Sequence, residues 1–484
     1  MPKGQPRASE SQVSAVFDDV APLPVLSRVA MARVLASLAV TLVFACQDPP
    51  DAKRTPGHAP VAREGTRGCD PSPVELSPAT VPRPVFDPAI EPATDGKHII
   101  ARWYDARIFA HPSFSATVIG YARRGSRVQV RGAARGEDCP ADLWYELASG
   151  GYACAAKGFR VDGTAIPDPV EPALDKALPY SYAKVTGTRA PRLRQLPSAE
   201  EWAAVQAART SDTTWPEIVQ GTMDGAFFVT VVETVEHAGE SWHRTDAGDF
   251  VWAGDVQSLT PPSAIGRRLE DGLDLPIAFA RTETPVHCKC GDALVECGVA
   301  HTHASVALAD ATPRKQGGRT VVASHEDRFL DREQVRLATD TERPAEVPAD
   351  ARWVHVDLPE QTLVAYEGDR PVYATVVASG KGPDHATPPG VYRVERKYVT
   401  TTMSGPDEDK GSYTVSEVPW TMYYDGDFAL HGAYWHDAFG AERSHGCINL
   451  PPTDARWLFG WSGALPAGWH ASSRVDGPWV VITG

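Results

Sequence analysis

The sequence predicts a mainly β, multi-domain protein: several small β-barrels in a row, then a larger, mostly β domain at the C-terminus. Three observations carry that class. Short apolar runs between residues 99 and 156 alternate with Pro, Ser and Gly, the punctuation of compact all-β units. The pattern then recurs. Trp144-Tyr145 followed by Gly150-Gly151-Tyr152-Ala153-Cys154-Ala155 matches Trp242-His243 followed by Gly248-Asp249-Phe250-Val251-Trp252-Ala253, each glycine six positions after its tryptophan. From about residue 351 the apolar/polar alternation becomes regular. A chain of 484 residues has room for about three or four domains, and 42% apolar residues can supply their cores.

The first feature in chain order is an uncharged, mostly apolar run at residues 34–45, preceded by Arg28 and Arg33. It is too short to cross ~30 Å of hydrocarbon as a helix. It fits the apolar region of a secretory signal. The run ends in Val43-Phe44-Ala45-Cys46, which resembles the lipobox of bacterial lipoproteins. That resemblance implies acylation at Cys46, a membrane contact through a lipid anchor, and a place in the bacterial envelope facing periplasm or wall. Residues 1–46 then form a lipoprotein signal, with Met31-Ala32-Arg33 as a compact alternative start. A simple secretory signal with a coincidental cysteine is the other reading. Residues 47–97, rich in Pro, Ala, Asp and Glu, cannot bury enough surface to order themselves and read as a semi-extended tether.

Strands are expected at 99–103, 107–110, 117–121, 126–130, 143–147 and 152–156. This unit, 98–165, resembles the bacterial SH3-like domains of wall-associated proteins. The echo at Trp242 places a second SH3-like unit at 176–260. A fainter one, Asp327-Arg328-Phe329-Leu330 with Val335 six after Phe329, marks a possible third at 274–340. Residues 199–208 read as a helix opened by Ser198, with Glu201 completing a capping box. Trp144, Tyr145, Tyr152, Trp242, Phe250 and Trp252 fit core filling better than an aromatic groove for glycan or peptide.

A formal charge of −15 and the lack of a basic cluster argue against a nucleic-acid partner. Of eight cysteines, six remain once Cys46 and Cys447 are set aside, and export favours disulfides among them. Cys139 and Cys154, flanking an expected hairpin, are the preferred pair. His287, Cys288, Cys290, Cys297, His301 and His303 crowd together, but Cys-x-Cys is not the usual zinc spacing and disulfide or structural use is favoured over metal. No metal site and no cofactor is assigned.

In the C-terminal domain, 350–484, strands are expected at 353–356, 361–366, 372–378, 391–394, 420–424, 428–431 and 479–482. Thr387-Pro388-Pro389-Gly390 and Asp425-Gly426 mark turns. Thr453 is expected to cap a helix over 454–461.

The chemistry lies in Ser444-His445-Gly446-Cys447-Ile448-Asn449 and in His431-Gly432, sixteen residues before the cysteine. A thiol becomes a useful nucleophile when a neighbour takes its proton, and a glycine at the turn opens backbone N–H groups to a developing oxyanion. With Val356-Asp357-Leu358, Gln361-Thr362-Leu363, Ser379-Gly380 and Thr387-Pro388-Pro389-Gly390, these strings resemble the L,D-transpeptidase catalytic domains of peptidoglycan assembly, and residues 400–413 and 435–443 align least well with the smallest members of that family. The resemblance implies attack by Cys447 on the bond after the third residue of a stem peptide, a thioester, and a second stem's amine closing a 3→3 cross-link. Peptidoglycan stem peptides are the implied partner. His431 is the expected base. His445 orients or polarises the site, backbone N–H groups near Gly446 hold the oxyanion, and Ser444 fixes these groups by hydrogen bonds. Asn449 shares that fixing role and a place at the substrate, and Tyr434 and Trp435 are candidate wall contacts at the mouth. Water in place of the amine gives an L,D-carboxypeptidase on the same residues. A wall-binding lipoprotein with an inert C-terminal domain is the non-enzymatic alternative.

Overall fold

The computed structural model describes residues 73–78, 96–140, 143–161, 171–211, 213–224, 226–269, 274–407, 411–473 and 475–484. The signal segment, Cys46 and most of the 47–97 linker lie outside the described residues. The described chain is mostly strand, with two α-helices.

The three N-terminal units repeat one layout. Each opens with a strand that pairs antiparallel with its closing strand: His98–Ala101 with Phe159–Arg160, Ser181–Val185 with Val256–Ser258, and Ile277–Ala280 with Val335–Ala338. Each also carries a hairpin of common register, in which Trp144 faces Cys154, Trp242 faces Trp252 and Val321 faces Asp331. No closed barrel forms among the described residues, contrary to expectation. Edges of the first and second units continue into neighbouring sheets, and the strands of the third divide between two separate sheets. Trp144 and Trp242 are fully buried, and the remaining aromatics of that set are partly buried against them or adjoining core residues. They fill cores.

Cys139 and Cys154 are joined in a disulfide beside Trp144, with Cα atoms 5.7 Å apart. Cys288 and Cys297 are joined likewise, and Cys290 is also disulfide-bonded, so the cysteines of the His/Cys cluster serve as cross-links. Ser198 caps helix Ala199–Arg209, its hydroxyl accepting from Glu201 N–H while the Glu201 carboxylate accepts from Ser198 N–H. Part of the tether is ordered. Val74–Leu76 lies parallel to 298–300 as an edge strand of the third unit. A Cβ at Gly298 would sit 1.8 Å from Val74 O, so only glycine admits this strand.

The C-terminal domain has two layers. One is a six-stranded sheet ordered Arg267–Arg268, Arg370–Val376, Thr362–Glu367, Arg352–Asp357, Trp479–Thr483 and Gly390–Arg393. The other holds a long hairpin, Arg396–Asp407 with Gly411–Asp425, then Phe428–Gly432, Ile448–Leu450 and helix Pro452–Trp461. Val354, Val356, Leu363, Trp420, Leu430, Ile448 and Phe459 meet between them. The helix starts slightly earlier than expected. Pro451 is its N-cap and Pro452 its first residue, so Thr453 lies inside and makes no cap. Residues 400–407 and 411–413 form the hairpin's outer half. Gly411–Asp425 pairs in parallel with Ala226–Val231 of the second unit. On the other side Arg396–Asp407 pairs with Ala471–Ser472, which pairs with Val118–Arg123 of the first unit. One ladder therefore runs from the second unit through the hairpin into the first.

Candidate active site

Strands Phe428–Gly432 and Ile448–Leu450 run parallel, with His431 opposite Asn449. Cys447 precedes the second strand directly. His431 and Asn449 therefore share a face of this strand pair, and Cys447 stands two residues before Asn449, in the turn that leads into its strand.

The turn before Cys447 is stapled on every side. Ser444 Oγ accepts from Gly446 N–H at 3.0 Å and donates to Cys447 O. Thr387 Oγ1 donates to Gly446 O at 2.8 Å and accepts from Gly380 N–H at 2.9 Å. Ser379 O accepts from the N–H groups of Arg443 and Ser444, and Ser379 is itself gripped by Gln361 through both amide ends. Gly446 has φ +120°, and a Cβ there would come 2.6 Å from the Phe428 ring. Thr387, Ser379 and Gln361 had no role in the sequence analysis. Their strings were visible, but only hydrogen-bond partners far along the chain give Thr387 and Ser379 a task.

His431 is 2% exposed. Its Nδ1 lies 3.2 Å from Gly432 O. A carbonyl only accepts, so Nδ1 carries the hydrogen and Nε2 is left with the lone pair of a base. Burial pushes this imidazole down to about 4. The Trp435 ring, 5.7 Å away at 30°, covers part of it. Burial pushes the Cys447 thiol up to about 11, with a backbone N–H at Ala429 pulling the other way. At rest Sγ donates weakly to Asp427 O at 3.5 Å. Thiol and imidazole are both neutral at rest.

His445 is exposed. Its ring stacks on Tyr413 at 4.8 Å and meets His385 edge-on at 4.6 Å, which sets it at the opening between the hairpin and the 383–387 loop. Three expectations change. Gly446 N–H is engaged by Ser444 Oγ, so this amide does not face an oxyanion. Tyr434 is 1% exposed, its ring stacked on Tyr182 of the second unit at 3.7 Å; it is packing, not a mouth contact. Asn449 is also buried, with its amide 3.0 Å from His436 Nε2, so it braces a neighbour instead of meeting substrate. His436, pushed down to about 3 by burial, was missed because nothing in its local sequence marks it.

Residues 351–482 match the family model described as YkuD, the L,D-transpeptidase catalytic domain. YciB, a candidate L,D-transpeptidase of Bacillus subtilis (strain 168), is 29% identical over 119 residues. That alignment covers 22% of this chain and 59% of the relative's length. Among solved structures, the catalytic domain of the Enterococcus faecium L,D-transpeptidase is 28% identical, covering 28% of this chain and 98% of that one, with a TM-score of 0.23. A mutant form of the E. faecium L,D-transpeptidase is 24% identical, covering 30% of this chain and 55% of that one, with a TM-score of 0.23. An L,D-transpeptidase from Mycobacterium smegmatis is 19% identical, covering 32% and 72%, again with a TM-score of 0.23.

Proposed function

We propose that this chain is a peptidoglycan L,D-transpeptidase that works through a Cys447 thioester. The observation that carries this reading is the fixed tautomer of His431. Its Nδ1–H is spent on Gly432 O, which leaves a basic Nε2 on the strand beside the turn that carries Cys447, the only free thiol among the described residues. As Sγ attacks the carbonyl of the stem's third residue, its proton passes to His431 Nε2. Collapse of the tetrahedral intermediate breaks the C–N bond, and His431 returns the proton to the departing amine of the fourth residue. The side-chain amine of a second stem then attacks the thioester, gives up its proton to His431, and regenerates the thiol as the 3→3 link forms. With Gly446 N–H engaged, Cys447 N–H is the donor assigned to the oxyanion. The SH3-like assignment of the three N-terminal units and the lipid anchor at Cys46 belong to the same proposal: an exported enzyme held at the envelope.

Purified disaccharide-tetrapeptide incubated with the full chain tests it. A cross-linked dimer lost in Cys447→Ala is the expected product. Tripeptide alone indicates hydrolysis, and unchanged substrate indicates an inert domain. Fatty-acid labelling that persists in Cys46→Ala removes the anchor.

A further inference from the structure

The long hairpin covers the site with one half, and its base holds a buried polar cluster that the acyl transfer does not use. The two strands slip register between Thr401 and Met403, so that Ser416 and Glu417 bulge opposite Thr402. Glu417 has φ +49°, a left-handed conformation that a glutamate keeps only when its surroundings impose it. Its carboxylate, 1% exposed, accepts from Arg123 Nη2 at 2.6 Å and from Thr400 Oγ1, and lies 2.5 Å from Tyr104 OH, whose single proton it shares with the Asp246 carboxylate. Arg123 and Tyr104 belong to the first unit, and the Arg123 guanidinium lies 3.9 Å from the Tyr104 ring centre. The bulge's main chain is held too. Glu417 O accepts from Tyr182 OH of the second unit at 2.9 Å, and Ser416 O accepts from Tyr434 OH at 2.6 Å.

From this bulge two short paths reach the chemistry. Four residues before Glu417, Tyr413 stacks on His445. On the other side Tyr434 leads directly to Trp435, whose ring lies over His431. A shift of the bulge moves both.

We infer that Glu417 is a positioning residue for acyl transfer, pinned by Arg123 of the first unit and Tyr182 of the second, so that the non-catalytic units set the hairpin over Cys447. This rests on the acyl-transfer reading of Cys447. Removing Arg123 leaves a buried carboxylate without its ion partner, and the bulge is expected to shift in response, whether or not Glu417 takes up a proton. Displacements of about 1 Å at a reacting group cost up to ~100-fold in rate.

The test follows Cys447 acylation by a carbapenem, by intact-protein mass spectrometry, on the full chain and on Arg123→Ala. Hydrogen exchange over residues 411–418 is measured alongside, together with Cys447 alkylation by iodoacetamide. The expected result is acylation slowed about tenfold, faster exchange in that segment, and alkylation changed less than twofold. Arg123→Lys recovers part of the acylation rate, and Arg123→Ala combined with Glu417→Ala is less than multiplicative. If Arg123→Ala does not fold, Tyr182→Phe carries the test, since it deletes one hydrogen bond and keeps the ring stack. Acylation within twofold of the parent in a folded variant, or unchanged exchange at 411–418, overturns the inference. A parent chain that a carbapenem never acylates overturns the reading beneath it.

Discussion

Cys447 and His431 are both neutral at rest: His431 is buried outright, and the packing around the half-buried Cys447 thiol penalises its charge too. The thiol is pushed up to about 11 and the imidazole down to about 4. Below pH 7 almost no thiolate exists, and its population grows about tenfold with each pH unit until the thiol titrates. Iodoacetamide alkylation of Cys447 is therefore expected to climb about tenfold per unit between pH 7 and 10. A flat profile across that range reveals a preformed thiolate–imidazolium pair instead. Gly446 is the other residue on which the site turns. Its φ of +120° and the Phe428 ring 2.6 Å from a would-be Cβ leave no room for a side chain. Gly446→Ala is expected to cost about 1–3 kcal/mol of stability and to slow carbapenem acylation at least ~100-fold. A thermal melt and adduct kinetics check the two together.

At the scale of elements, helix Pro452–Trp461 shows how a site is anchored from behind. Asp454 in its first turn is fully buried and accepts from Gly266 N–H, Tyr373 OH and Thr375 Oγ1. Burial outweighs these donors and pushes its carboxyl from 3.8 up to about 6. Its folded value is thus above its unfolded one. The native state keeps a proton that the unfolded chain loses, and the stability this adds is complete below pH 4 and fades as pH rises through 6. The change is about 3 kcal/mol. Asp454→Asn is expected to flatten that part of the stability–pH curve, read from denaturant melts at pH 4 and 6; a curve that keeps its slope refutes the assignment. The helix was legible in the sequence, but its cap was not. Thr453 looked right by residue type, whereas Pro451-Pro452 fixes the entry by backbone geometry. The hairpin was illegible for a different reason. Val415 and Val418 face Tyr182, Phe228 and Tyr434, so its burial pattern is set by another unit and shows no local period. The Cys447 motif could be read because its function is written in consecutive residues. Gln361, Ser379, Thr387 and Glu417 act on partners far along the chain, and no short window contains both ends of those contacts.

At the scale of the molecule, the repeated units, the segments between them and the catalytic domain share strands, polar contacts and core. Trp420 Nε1 donates to Ala177 O, Arg456 Nε to Leu174 O, and Gly266 N–H to Asp454. Trp353 and Tyr366 of the catalytic sheet pack in one cluster with Ile277 and Phe279 of the third unit. The hairpin's outer edge is completed only by Ala226–Val231 of the second unit. A fragment of residues 350–484 thus exposes an unpaired hairpin edge, the apolar side of the 352–376 strands and the Asp454 carboxyl without its Gly266 donor. Each of these is a cost in water, and an unpaired edge also invites aggregation. The expected outcome is that 350–484 alone shows no cooperative calorimetric transition, that 171–484 melts cooperatively, and that the full chain melts in a single transition at higher temperature because Arg123 and Tyr104 are restored. Were 350–484 to melt at the temperature of the full chain, the units would be independent beads. The continuous ladder would then contribute nothing to holding Tyr413 and Trp435 in place beside Cys447.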